Sequence, residues 1–394
     1  MKNQLLFPIL IFFFTLTSLS CNSFGDQSDN DKSSEVVAKG NTEKGKEVGT
    51  NSLGLNLPKG FKIDVFAEVE DARSLAVSSS GVIYVGSRGE DKVYALRDTD
   101  GDWKADEKYI IDSGLKMPNG VAFKDGDLYV AAVNRILKYP NIEANLKNPP
   151  EPEVVYSDYP SIRHHGWKYI AFGPDGKLYV PVGAPCNICD RNEEIFASIT
   201  RMNPDGTGLE IVAHGVRNSV GFDWNPETKE LWFTDNGRDK MGDELPPCEL
   251  NKVTKKGEHF GFPFCHGDDV SDTEFGSKRK CSEFVKPEYN FKAHTAPLGM
   301  AFYTGDMFPE DYKGDVIVAQ HGSWNRSSKI GYRLMRIHIE NNKAVKGEVF
   351  ADGWLNDATQ NQTGRPVDVL QMSDGSILVS DDYGNKIYRI SYQK

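Results

Sequence analysis

Apolar and polar residues alternate with period two over short segments of the chain, and glycine or Asp-Gly turns separate these segments. Such alternation is typical of antiparallel strands with one buried face, and we find no long apolar stripe at helical spacing beside it. The pattern therefore predicts an all-β domain.

A unit of three such segments recurs along the chain. It runs over 73–77, 81–87 and 92–96, and it returns almost position for position over 365–370, 375–381 and 386–390. Four more copies begin at 119–123, 167–172, 219–224 and 298–302. Because each blade of a propeller is buried by its neighbours, repeated copies of this kind predict a six-bladed β-propeller. The segment 57–69 precedes the first copy and is predicted to complete the last blade.

The first 54 residues differ from the repeats. Residues 1–20 contain an apolar run from Leu5 to Phe14, which is too short for a stable spanning helix and predicts an export signal. The sequence before Cys21 approximates a lipidation motif; the alternative is an ordinary secretory peptide. Residues 21–54 are polar and predict a disordered tether before a propeller domain at 55–394. We expect an exported, periplasmic or outer-membrane-anchored bacterial lipoprotein.

Charge narrows the choice of partners. The formal net charge is −11, from 57 acidic and 46 basic residues. Phosphate binding requires clustered lysine and arginine, which this chain does not concentrate, so nucleic acid is not an expected partner. Contact with a membrane is expected only through the lipid anchor.

Five cysteines follow Cys21, and this odd number leaves at least one without a partner in the chain. Cys186 and Cys189 could form half of a zinc site or a redox pair, but no second such motif is present, and we favour a short structural disulfide. We also predict a disulfide between Cys265 and Cys281. Cys248 is left unassigned.

Polar residues precede the first strand of several copies, where propeller loops converge on the central axis. These residues are Arg73, Asn119, His164, His165, Arg217, Asn218 and Arg365. Because arginines facing one another repel, the cluster predicts an anionic ligand; solvated loop ends are the alternative. A histidine here could act as a general base. Strand alternation would point His164 and His165 in opposite directions, so that at most one faces the axis.

Two acidic loops are candidate calcium sites. The loop from Asp235 to Glu244 contains Asp243 and two glycines after a predicted strand, as expected for a cation held by carboxylates and free carbonyls; a solvated turn is the alternative. The second candidate consists of Asp98, Asp100, Asp102 and Asp106. Its glycine lies at the fourth place of the loop, so it is not an EF-hand.

Several short sequence motifs together resemble those of a known family. They are His165 with 172–176 (FGPDG), 214–218 (HGVRN), 235–238 (DNGR) with Asp243 and Glu244, 259–266 (HFGFPFCH), 321–326 (HGSWNR) and 364–368 (GRPVD). They resemble the glucose/sorbosone dehydrogenase family, soluble six-bladed quinoproteins that depend on pyrroloquinoline quinone (PQQ). The resemblance covers about residues 55–392.

This resemblance implies an enzyme that oxidises a sugar or polyol with PQQ and calcium and passes the electrons to an external acceptor. It implies that His165 takes the hydroxyl proton and that Arg217 stabilises the developing oxyanion. Calcium would be held by the backbone oxygens of Gly237 and Arg238, with Asp243 and Glu244 as further candidates. The implied ligands of the cofactor carboxylates are Asn218, Arg326 and Arg365, to which the cation cluster adds Arg73 and Asn119.

The sequence departs from the glucose-oxidising members of the family. His164 stands where an acidic residue precedes the catalytic histidine, and Val367 replaces a second arginine. The lysine expected in the fifth blade has no clean counterpart, and His321, Arg326 or Arg333 is expected to substitute. These departures favour the sorbosone and pyranose branch. The alternatives are a calcium-dependent lactonase of the same fold and a non-catalytic, surface-anchored propeller that binds glycan or protein.

Overall fold

The computed structural model describes residues 48–393. Six antiparallel sheets of four strands follow one another along the chain, and one of them gains a short fifth strand. Each sheet comes from one predicted repeat, which confirms the all-β, six-bladed propeller. The predicted export signal, Cys21 and residues 21–47 of the predicted tether lie outside the described residues.

The first three blades contain the following strands. Blade 1 comprises Leu75–Val77, Ile83–Val85, Val93–Arg97 and Glu107–Asp112. Blade 2 comprises Gly120–Lys124, Asp127–Ala131, Ile136–Tyr139 and Glu153–Tyr156. Blade 3 comprises Ala171–Phe172, Leu178–Val182, Ser198–Met202 and Glu210–His214, and Glu258–His259 adds to it in parallel.

The last three blades complete the ring. Blade 4 comprises Phe222–Trp224, Leu231–Asp235, Cys248–Val253 and Tyr289–Phe291. Blade 5 comprises Pro297–Phe302, Val316–Gln320, Arg333–Glu340 and Lys343–Ala351. Blade 6 comprises Pro366–Gln371, Ile377–Asp381, Lys386–Tyr392 and, from the other end of the chain, Phe61–Glu68.

The strand Phe61–Glu68 closes the ring, as predicted for the segment 57–69. It pairs antiparallel with Lys386–Tyr392, with Phe61 opposite Tyr392 and Glu68 opposite Lys386. The core lies between neighbouring blades, where Ile83 of blade 1 and Leu378 of blade 6 belong to one buried apolar cluster. Each blade therefore depends on its neighbours for burial.

Shorter elements lie outside the blades. Three two-stranded ladders join Val48–Thr50 with Asn56–Pro58, Cys265–His266 with Val270–Ser271, and Leu355–Asn356 with Asn361–Gln362. Three 3₁₀ turns span Ile142–Asn145, Cys281–Glu283 and Glu310–Tyr312. The first ladder includes the last part of the predicted tether, so regular structure begins before residue 55. Within 48–393 no helix has the length and apolar character needed to span a bilayer.

Both predicted cysteine pairs are bonded in the structure. Disulfides join Cys186 to Cys189 and Cys265 to Cys281. Cys248 is a buried free cysteine, and burial raises the pKa of its thiol.

Candidate functional site

Loops from several blades surround a cavity of about 290 Å³. Its lining residues are Arg73, Arg88, His165, Trp167, Arg217, Asn218, Asn236, Gly237, Asp239, Cys248, His294, Ala296, Leu298, His321, Gly322, Trp324, Asn325 and Arg365. Four arginines and three histidines thus face one carboxylate, that of Asp239. Of the predicted cation cluster, the structure brings Arg73, His165, Arg217, Asn218 and Arg365 to the cavity.

His165 lies in a turn that positions its imidazole on the cavity wall. Its φ of 49° falls in the left-handed region, which is uncommon for a residue other than glycine. Its Nδ1 lies 2.9 Å from the carbonyl oxygen of Ala184, which can only accept, so Nδ1 carries the proton and Nε2 is left as a proton acceptor. Burial, Arg217 and His164 hold the pKa of His165 well below its usual value. The ring is therefore neutral at neutral pH and able to take a proton.

The two adjacent histidines do not point in opposite directions. Both lie in a turn and not in a strand, so strand alternation does not apply to them. Alternation was therefore the wrong reason for expecting at most one of the two histidines at the axis. Their ring centroids are 4.1 Å apart. His165 lines the cavity, whereas His164 is exposed, and its ring packs against the ring of His165.

Gly183 lies directly behind His165. A Cβ atom at this position would lie 2.6 Å from the Cβ of His165 and 2.9 Å from its carbonyl oxygen. These distances are shorter than nonbonded carbon contacts allow. The absence of a side chain at 183 therefore permits the backbone approach that places His165.

Arg217 is held in place by oxygen atoms on all sides. Its Nε donates to the Asn187 carbonyl at 2.9 Å and its Nη2 to the Asn187 side chain at 2.9 Å. Its Nη1 donates to the carbonyl oxygens of Asn236 and Gly237 at 3.1 Å each. The carboxylate of Asp239 lies 3.7 Å away. The loop that follows Asp235 therefore directs its carbonyl oxygens at a positive charge.

Asp235 fixes the backbone next to Arg217. Its two carboxylate oxygens accept from the backbone N–H groups of Arg217 at 2.8 Å and Asn218 at 2.6 Å. Glu249 is its cross-strand partner. Burial raises the pKa of Asp235 to about 6, and burial together with Asp235 raises that of Glu249 to about 7.

Arg73 belongs to a buried network beneath the cavity. Its Nη1 lies 2.5 Å from the carboxylate of Asp382, which also accepts from His321 Nε2 at 2.8 Å. Its Nε donates to Asn119 Oδ1 at 2.6 Å. Asn119 itself does not line the cavity; its amide nitrogen donates to Ser74 and to the Lys168 carbonyl. In this structure Asn119 supports Arg73, and its contact with the cofactor stays a prediction.

Arg365 and His321 form the neighbouring wall. Arg365 donates to the carbonyl oxygens of His321 at 3.0 Å and Gly322 at 2.7 Å. Burial lowers the pKa of His321 to about 4. Of the three candidates for the missing lysine, only His321 lines the cavity; Arg326 and Arg333 do not.

Besides Asn119, the predicted site residues Arg238, Asp243, Glu244 and Arg326 do not line the cavity. Arg326 donates to the Asp243 carbonyl and pairs with Glu244 at 2.6 Å, because the 243–244 turn lies over its guanidinium. The Asp243 carboxylate accepts from the backbone of Ser327. The side chain of Arg238 turns to Asp272 at 2.8 Å and to Glu274 at 2.9 Å. These side chains brace the loop around the cavity.

The second acidic loop places three of its four carboxylates together. One oxygen each of Asp98, Asp100 and Asp106 lies within 4.8 Å of the others, and Asp102 is not in this group. Asp98 already accepts from the backbone of Gly101 and Trp103. Calcium binding at this exposed loop remains a prediction.

Several lining residues were not predicted from the sequence, and Arg88 and Trp167 are two of them. Arg88 follows the second strand of blade 1, whereas the predicted cluster was drawn from residues that precede first strands. Trp167 lies two residues after His165, and their rings meet edge to face with centroids 5.8 Å apart. The end of the second strand lies beside the start of the first, with Val85 opposite Leu75, so residues that follow second strands are equally well placed to reach the cavity.

Comparison with known proteins agrees with this fold. The sequence model described as Glucose / Sorbosone dehydrogenase matches residues 131–389. An uncharacterized protein of Borreliella burgdorferi is 36% identical over 357 residues, covering 86% of this chain and 91% of the relative. A calcium structure of the Trichoderma reesei enzyme of Carbohydrate-Active Enzymes Family AA12 has a TM-score of 0.76 at 18% identity, covering 86% of this chain and 97% of the other.

A second solved structure extends the comparison. The holo form of the pyranose dehydrogenase PQQ domain from Coprinopsis cinerea has a TM-score of 0.74 at 16% identity, again covering 86% of this chain and 97% of the other. At these identities the structural matches establish the common fold.

Proposed function

This chain belongs to the glucose/sorbosone dehydrogenase family, and we propose that it oxidises a sugar or polyol with PQQ as its cofactor and calcium as its metal. The observation that carries the proposal is a neutral, proton-accepting His165 in the wall of a cavity lined by four arginines. A neutral sugar gives no reason for four guanidinium groups, whereas a cofactor with several carboxylates does.

The lining residues fit such a cofactor. The cavity volume of about 290 Å³ is close to the lower end of cofactor and ligand sites. Arg217 and Arg365 are anchored by backbone carbonyls, and Arg73 by Asp382, so their positions do not depend on the ligand. Asn218 lies beside Arg217 on the same wall. We propose that Arg73, Asn218 and Arg365 bind the cofactor's polar groups.

Calcium fits the loop after Asp235. The Gly237 carbonyl is directed toward the cavity, where Arg217 now occupies it, and backbone oxygens are preferred calcium ligands. We propose that the carbonyls of Gly237 and Arg238 hold the ion. With the Gly237 carbonyl on the ion, Arg217 would keep its bonds to Asn187, and the Nη1–H that now donates to Gly237 would be free for a developing oxyanion.

The reaction divides between the protein and the cofactor. His165 accepts the hydroxyl proton at Nε2, because Nδ1–H is committed to Ala184. When bound, PQQ would accept the hydride from the carbon that bears this hydroxyl, and calcium would polarise the quinone carbonyl. Electrons then leave to an external acceptor. The lactonase alternative needs several carboxylates around a metal, but Asp239 is the one carboxylate among the described lining residues.

Purified protein tests this proposal directly. PQQ and calcium are added, and the quinone absorbance and the reduction of a dye are followed with aldoses, sorbosone and polyols. Stoichiometric PQQ uptake with sugar-dependent bleaching is expected, and His165→Ala should lower the rate by about 10²–10⁴ while leaving PQQ bound. Absence of uptake at micromolar PQQ contradicts the proposal and favours a binding propeller.

The location is a further part of the proposal. We propose export followed by lipidation of Cys21, which would place the propeller in the periplasm or at the outer membrane. Expression of the full chain and of Cys21→Ser, followed by fatty-acid labelling and membrane fractionation, tests this. A label that persists in the Cys21→Ser variant would contradict lipidation at this residue.

A further inference from the structure

Arg88 differs from the other arginines of the cavity in its partners. Arg73, Arg217 and Arg365 each donate to two or more oxygen atoms of the protein. Within residues 48–393, the Arg88 guanidinium has no hydrogen-bond acceptor and no ion pair. It lies instead over the ring of Trp167, 5.1 Å from the centroid. Its five N–H donors are therefore available to a ligand.

The carboxylates near Arg88 are committed elsewhere. Asp382 binds Arg73 and His321. Asp71 accepts from the backbone N–H groups of Arg88 at 2.5 Å, Gly89 at 2.5 Å and Glu90 at 3.1 Å. Asp71 thus fixes the backbone of the loop while leaving the Arg88 side chain without a counterion. The proximity of Arg73, together with burial, lowers the pKa of Arg88 to about 10, although the charges of Asp382 and Asp71 oppose this shift.

Trp167 supplies a second unsatisfied donor. Its Nε1 is buried and has no hydrogen-bond partner in the structure. Tryptophan N–H groups usually find an acceptor when buried, so an acceptor is missing here. The same ring contacts both Arg88 and His165.

From these contacts we propose that Arg88 and Trp167 form a carboxylate-binding subsite next to His165. The proposal rests on the function proposed above, and the carboxylate can come from two sources. One is the cofactor; the other is an acidic sugar such as a uronic acid, in which case the subsite selects the substrate. Arg88 is partly exposed, whereas Arg73 is almost fully buried, so the subsite lies on the side of the cavity nearer to solvent.

The test uses the full chain in four forms: wild type, Arg88→Gln, Trp167→Phe and the control Arg97→Gln. Arg97 is an exposed arginine at the end of a strand of the same blade. PQQ affinity is measured by quenching of tryptophan fluorescence and by calorimetry, in the absence of sugar. KM is then measured for glucose and for glucuronate, and glucuronate binding is also measured by calorimetry without PQQ.

Two results support the subsite and identify its ligand. A rise of about tenfold or more in the PQQ Kd of Arg88→Gln, with Arg97→Gln unchanged, assigns the cofactor carboxylate. An unchanged PQQ Kd with a raised KM for glucuronate, but not for glucose, assigns an acidic substrate. In either case Trp167→Phe should give a smaller loss in the same direction.

Stability separates a ligand-binding arginine from a structural one. Because Arg88 is repelled by Arg73, the ligand-free Arg88→Gln protein should have a Tm equal to or above that of the wild type, whereas loss of a structural arginine lowers Tm. Unchanged PQQ and glucuronate binding in a folded Arg88→Gln protein overturns the subsite. If the wild type takes up no PQQ, the proposed function fails, and glucuronate binding without PQQ then decides the subsite: loss in Arg88→Gln supports it, and no binding to the wild type overturns it.

Discussion

The imidazole of His164 packs against that of His165 with 4.1 Å between the ring centroids. After burial and Arg217, the charge of His164 is a further cause of the lowered pKa of His165, so a change at His164 is expected to alter the basicity of His165. Burial also lowers the pKa of His164 itself. Both rings are therefore biased toward the neutral form near pH 7.

This pairing predicts the pH dependence of the reaction. The acid limb of kcat/KM should lie below pH 6.5, because a base with a lowered pKa stays unprotonated to lower pH. His164→Gln should move that limb upward by less than about one pH unit. Rates at pH 8, where both proteins carry a neutral His165, should agree. A wild-type limb above pH 6.5 would exclude His165 as the base.

The contact between Gly183 and His165 gives a second prediction. Gly183→Ala places a Cβ 2.6 Å from that of His165, so the turn must shift. We expect a fall in kcat of about 10²-fold, because small displacements of a catalytic group have effects of this size. Gly126→Ala is a control for glycine replacement, since no atom lies within 4 Å of its Cβ position, although its positive φ adds local strain. Full activity of Gly183→Ala would show that this approach does not position His165.

Asp382 provides a test based on stability. It is 7% exposed and pairs with Arg73 and His321, and these partners hold its pKa well below the usual value although burial opposes them. Asp382→Asn leaves a buried guanidinium without its anion and should lower the free energy of unfolding by about 3–5 kcal/mol at pH 7. A depressed pKa contributes stability above the unfolded value near pH 4, and this stability is lost as pH falls further. Denaturation of both proteins at pH 7 and pH 3 should therefore show a difference that shrinks at pH 3.

Glu249 gives the opposite pH dependence. Burial and Asp235 raise its pKa to about 7, so its ionisation opposes folding as pH rises from about 4.5 to 7 and beyond. Glu249→Gln should stabilise the ligand-free protein by roughly 1–3 kcal/mol at pH 8 and have little effect at pH 5. Rotation of the Asn251 amide can provide an acceptor for the new amide, because Asn251 Oδ1 has no partner now. Equal destabilisation at both pH values would contradict the assignment.

The sequence predicted the fold well because strand alternation and ring closure are repeated, local signals. The first and last repeats match closely, and the strand from 61 to 68 is found where the ring requires it. Site residues were predicted from their position before first strands, and position does not determine the partner of a side chain. Asn119 turns to Arg73, and Arg326 turns to Glu244. Arg88 was missed because it follows a second strand, and the absence of a hydrogen-bond partner for its guanidinium is visible only in the folded structure.

The closing strand of blade 6 also has a consequence for the order of assembly. Phe61–Glu68 is made long before its partner, Lys386–Tyr392. This strand must therefore stay unpaired until residues 386–392 have been made, and a long loop must close before the pairing is gained. A chain that lacks Lys386–Tyr392 would leave Phe61–Glu68 and Ile377–Asp381 without their shared partner, and unpaired strand edges of this kind favour aggregation.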